Sequence, residues 1–137
     1  MIASSNLSDW ALVGGRIALA SLFILGGLNK VLNYTATLAS MEAVGLSPPP
    51  LLLPLVIGLE LIGGALVGFG RRGATLAALA LAMFTLSTNI FFHDFWNMDG
   101  DIAALELSLF FKNVSIAGGL LFFAGAVASR PIARERA

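Results

Sequence analysis

Four long runs of apolar residues constrain this chain before any other feature does. They extend approximately from Trp10 to Val31, Leu51 to Phe69, Gly73 to Phe92 and Leu107 to Ala128. Each is close to the ~20 residues that cross ~30 Å of hydrocarbon at 1.5 Å per residue. The alternation of a membrane barrel is missing, so helices are the spanning structure that satisfies every backbone group. With 58% hydrophobic and 12% charged residues, the chain has too little polar surface to cover a water-soluble domain of this size. The expected fold is all-α: a single-domain, integral-membrane four-helix bundle over residues 1–137, with the lipid bilayer as its first partner. The opening MIASSNLSDW lacks the positive n-region of a secretory signal, so the first run is read as a retained helix.

The connections are unequal. Gly70, Arg71 and Arg72 form almost the whole link between the second and third runs, which forces an antiparallel hairpin. About twenty residues join the first two runs, where Pro48–Pro50 are not expected to extend a helix backwards and Pro54 suits a first turn. HDFWNMDGDIAALE joins the last two runs, with Trp96 suited to an interfacial position. Arg71, Arg72, Arg130, Arg134 and Arg136 share one side, so the positive-inside rule predicts both termini and the short turn in the cytoplasm. Small residues recur at i, i+4 in Gly64/Gly68, Ala74/Ala78/Ala82 and Ser115/Gly119. That spacing suits close helix contact, and a homo-oligomer is compatible with it.

Polar residues inside these runs carry the functional question. Glu60 is expected near the midplane, where a lone charge costs ~2.5–3.5 kcal/mol. It must therefore face the bundle interior, neutralised or paired. Arg16, about 8 Å nearer the cytoplasm by the helical rise, is the nearest cation by depth. An Arg16–Glu60 pair would be either a buried device fixing two helices in register or part of a proton-exchanging or ligand-binding site. Lys30, Asn89 and Lys112 fall on the outward half of three helices, with Asn113 beside them. The two lysines lie within snorkelling reach of the interface. A pocket formed by Lys30, Asn89, Lys112 and Asn113 would instead donate hydrogen bonds to a carbonyl or anionic oxygen. Asn29, His93, Asp94 and Trp96 would form its outer mouth, His93 hydrogen-bonding with Asp94 beside it.

Several chemistries are excluded. Without cysteine there are no disulfides, CxxC redox centres, iron–sulfur clusters or thiolate zinc sites. A single histidine rules out a haem held by two histidines of one chain and leaves no metal site. No nucleophile–base pair, phosphate loop or nucleic-acid-binding basic tract is present. The isolated chain is thus not read as a self-sufficient enzyme, and no covalently bound cofactor is expected.

Landmarks along the whole chain form a series: Arg16 and "LFILGGLNK", then "GLSPPP" and "GLELIGGALVGFGRRGA", then "FFHDFW" and "FFKNVSIAGGLLFF". The chain resembles the DoxX family of small four-helix bacterial membrane proteins. The resemblance implies a multi-pass protein of the bacterial inner membrane. It also carries the family's arginine, lysine, glutamate and lysine–asparagine positions over to Arg16, Lys30, Glu60, Lys112 and Asn113. The family takes its name from a subunit associated with a thiosulfate:quinone oxidoreductase, and relatives are linked to redox-stress complexes. The triple proline at 48–50 departs from the family pattern and bears on the outer mouth.

Two functions follow. One is a quinone- or quinol-interacting subunit, or partner, of a membrane oxidoreductase assembly, in which Lys30, Lys112 and Asn113 donate to quinone oxygens and Glu60 exchanges a proton. The other is a non-enzymatic scaffold or binding bundle, or a small-solute transporter, in which Arg16 and Glu60 are structural or line a solute path.

Overall fold

A computed structural model describes residues 3–70 and 72–129, side chains from residue 9 onward. Among the described residues five α-helices form: α1 (Ala3–Leu32), α2 (Tyr34–Ala43), α3 (Pro49–Phe69), α4 (Ala74–Phe92) and α5 (Gly100–Ala128), with a 3-10 turn at Phe95–Asn97 before α5. Among the described residues four helices are long and apolar enough to span: α1 from Asp9, α3, α4 and α5. Most large apolar side chains point outward, among them Leu55, Ile62, Leu76, Ile90 and Phe122. That is the expected inversion for a bundle whose solvent is lipid.

The helix boundaries depart from the sequence expectation in three places, each for a local reason. The link after the first span contains α2, where the sequence pattern predicts only a connection; its Ala, Leu, Met and Glu content favours helix. The last span starts at Gly100 rather than near Leu107, so DIAALE is helical and Asp101 lies in its first turn, complementing the helix dipole. The third correction concerns the triple proline. α3 begins at Pro49, with Pro49 and Pro50 in the first two helical positions, where no N–H is required. Leu51 and Leu52 both donate their N–H to the Pro48 carbonyl. Pro54 consequently lies in the second turn rather than the first.

The short turn follows from two glycines. Gly70 ends α3 at φ 63 and Gly73 precedes α4 at φ 89, left-handed values that a Cβ disfavours. Around that hairpin, α1 lies on α3, α3 on α4 and α4 on α5, whereas α1 and α5 touch only sparingly. The tightest core is where small residues allow it. Ala74, Ala77, Ala78 and Ala82 of α4 meet Ala117, Leu120, Phe123 and Ala124 of α5, with Phe23, Val67 and Leu81 filling the centre.

α1 and α3 run antiparallel at near-backbone distance. A Cβ on Gly64 would sit 3.2 Å from the Ala20 carbonyl oxygen, and one on Gly68 3.0 Å from the Ala20 Cβ. The Gly64/Gly68 pair is therefore occupied within the chain by α1. Farther along, a Cβ on Gly27 would lie 2.8 Å from Leu61 Cδ2 and 3.3 Å from Glu60 Cβ. These contacts fix the axial register, with Glu60 level with Gly26 and Gly27.

Candidate polar cavity

That register decides which cation meets Glu60. Lys30, one turn beyond Gly26, places its Nζ 2.8 Å from both carboxylate oxygens of Glu60. Glu60 is buried and the lysine side chain is 26% exposed, so this is an interior ion pair, and Lys30 does not snorkel. The expected Arg16–Glu60 pair is not formed. Equating the centres of the first two spans misjudged their offset by about six residues, roughly 9 Å. Arg16 instead lies against Gly70, at the far end of α3.

Lys30 and Glu60 stand in the wall of a cavity of about 560 Å³. Lys112 and Asn113 of α5, Thr85 and Thr88 of α4, and Thr37 and Ser40 of α2 add polar atoms, while Phe23, Leu53, Val56, Phe84, Phe92 and Ile116 keep most of the surface apolar. Lys112 is an exposed residue that reaches this lining, and neither the Lys30–Glu60 ion pair nor the His93–Glu106 contact includes it.

Asn89 is buried just behind the cavity and does not line it. It accepts a hydrogen bond from Asn113 Nδ2 at 2.9 Å and donates to the Phe110 carbonyl at 3.1 Å, bridging α4 to α5. An amide so engaged organises the wall and holds Asn113 in place. The mouth expected from sequence is only partly assembled. His93 lines the cavity, but its Nδ1 lies 2.6 Å from Glu106 Oε2 on α5, and Asp94 instead accepts from Asn97. An adjacent residue on the same strand of chain points elsewhere, whereas the antiparallel α4–α5 pair brings residue 106 opposite residue 93. Trp96 packs edge-on against Phe95 and Phe110, pinning the 3-10 turn to α5. Asn29 is exposed on α1, where it accepts from Asn33 Nδ2. Neither Asp94, Trp96 nor Asn29 reaches the cavity.

The residues that sequence reasoning missed are Glu106 and the hydroxyls on α2 and α4. Glu106 was visible as the acid directly before the last apolar run, but only helical pairing identifies its partner. The hydroxyls carried no signal: each of Thr85 and Thr88 also bonds a carbonyl of its own helix, as such residues do anywhere in membrane helices.

A glutamate–lysine pair between two glycine-apposed helices, facing a lysine–asparagine step on the last helix, can be compared with known proteins. The DoxX family model matches residues 11–94. The chain belongs to the DoxX family. Arg16, Lys30 and Glu60 fall inside the matched segment, and Lys112 and Asn113 beyond it. Two relatives from Escherichia coli K12 extend the likeness over most of this DoxX chain. Inner membrane protein YqjF is 40% identical over 119 residues, 87% of this chain and 85% of its own length. Inner membrane protein YphA is 33% identical over 109 residues, 80% and 77% of the two chains. No solved structure gives a significant match. With four spanning helices and such relatives, this DoxX protein is a multi-pass protein of the inner membrane.

Proposed function

We propose that this DoxX protein holds the head of a lipid-soluble quinone or quinol in its cavity, as the membrane subunit of an oxidoreductase assembly. The observation that carries this reading is the Lys112 ammonium, next to Asn113, at the edge of a mostly apolar chamber whose other lysine is already taken by Glu60. A quinone head needs donors for its carbonyl oxygens and apolar walls for its ring and tail, and the chamber offers both. Its reduction takes two electrons and two protons. In this reading a partner protein supplies the electrons, and the chain contributes binding and orientation.

Titration of the detergent-purified protein with a short-tailed ubiquinone, followed by tryptophan fluorescence, tests this directly. Lys112→Met is expected to weaken binding by roughly 10-fold or more, the worth of one charge-assisted hydrogen bond. Absence of quinone from a lipid extract of the native protein, together with no saturable quenching, would overturn the reading. The scaffold or transport alternative has one specific feature in its favour: Lys30 engages both carboxylate oxygens of Glu60, as a purely structural pair would.

The orientation we infer has the Arg72 turn and both termini in the cytoplasm. Arg72 is exposed beside that turn, while Arg71, Arg130, Arg134 and Arg136 lie outside the described residues. A C-terminal alkaline phosphatase fusion is expected to be inactive and a C-terminal green fluorescent protein fusion bright. The opposite pair of results would invert the topology.

A further inference from the structure

Arg16 is left out of the main cavity and opens onto a second one, of about 280 Å³, at the other end of the bundle. Leu12 and Val13 of α1 form one side, Phe123, Ala126 and Val127 of α5 the other, and Gly70 closes the end. This lies along the α1–α5 seam, where the two helices have little direct contact. Gly70 is the first residue past the apolar span of α3, so the guanidinium sits where hydrocarbon gives way to headgroups.

Arginine keeps its charge in proteins and presents a planar fork of five donors. Among the described residues its Nε is buried without a hydrogen-bond partner, and neither the Lys30–Glu60 ion pair nor the His93–Glu106 contact includes it. Asp9, which is exposed, lines the same cavity and is itself engaged in an interaction. Burying such a donor unmatched is costly, and phosphate oxygens match the fork bidentately. Basic pockets between membrane helices take anionic lipid headgroups on the same physical grounds.

We propose that this second cavity binds a phosphate group, carried by an anionic phospholipid headgroup or by soluble phosphate, with Arg16 as its principal ligand. The apolar side chains of α1 and α5 then flank the first methylenes of an acyl chain when the source is lipid.

The test uses the full chain in dodecyl maltoside and phosphate-free buffer, adding phosphatidylglycerol or inorganic phosphate separately. A rise in melting temperature of about 5 °C is expected with at least one of them. Protection by the lipid alone assigns a headgroup, and protection by inorganic phosphate alone assigns a soluble anion. Arg16→Gln is expected to abolish the rise. Should that variant fail to fold, Ala126→Leu fills the cavity while keeping the guanidinium and is expected to abolish it too. No rise with either addition, or an undiminished rise in whichever variant folds, would overturn the proposal.

Discussion

Glu60→Leu is expected to destabilise the bundle by about 2–4 kcal/mol, because it strands the Lys30 ammonium inside the protein. The lysine side chain is only 26% exposed, and Glu60 supplies both of its hydrogen bonds among the described residues. Lys30→Met is expected to cost a similar amount by stranding the carboxylate. The double variant Lys30→Met/Glu60→Leu should recover most of either loss, since it removes both charges and leaves apolar side chains of comparable size. Denaturant unfolding of all four proteins in one detergent measures the coupling. Strictly additive costs would mean that the pair does not hold α1 on α3. The same cycle run with Arg16→Gln and Glu60→Leu should show coupling near zero, because Arg16 lies about 16 Å along α1 from the level of Glu60. Quinone titration of the double variant also separates the two functional readings. Retained binding would limit the pair to architecture, and lost binding in a folded protein would make it part of the site.

Gly64→Val is expected to be nearly as damaging, at about 3 kcal/mol, although it adds apolar surface to an apolar helix. Its Cβ would lie 3.2 Å from the Ala20 carbonyl oxygen and 3.1 Å from Ile24 Cγ1, and a backbone carbonyl in the middle of α1 has nowhere to move. The helices must separate, which draws Lys30 away from Glu60. Gly58→Ala on the same helix is the matched control, since its Cβ would meet nothing within 4 Å. It is expected to be neutral or to stabilise by up to ~1 kcal/mol, through lower chain entropy in the unfolded state. Thermal unfolding of the two variants side by side decides. Equal melting temperatures would remove close backbone approach as the source of the α1–α3 contact.

Lys30, Glu60, Lys112 and Asn113 were legible as candidates because an ionisable or amide group within an apolar run is conspicuous, and all four line one cavity. Their partners were not legible. Arg16 was assigned to Glu60 on depth, yet the glycines at 26, 27, 64 and 68 offset α1 against α3 and put Lys30 there instead. Likewise the sequence marks His93 as an interfacial hydrogen-bonding group with Asp94 next to it, and the α4–α5 pair gives it Glu106. α2 escaped notice because its residues show no helical stripe of apolar side chains to mark a buried face.

By itself the sequence determined that the chain crosses a membrane with four helices, where the tight α3–α4 turn falls, and which polar groups need interior partners. Those follow from hydropathy, glycine conformation and desolvation, each a property of one segment in its solvent. Only the tertiary structure decided the pairing of charges, the separation of Arg16 from the main cavity and the composition of its mouth. In lipid no hydrophobic force selects the rotation or axial offset of one helix on another, so these are set where backbones come closest.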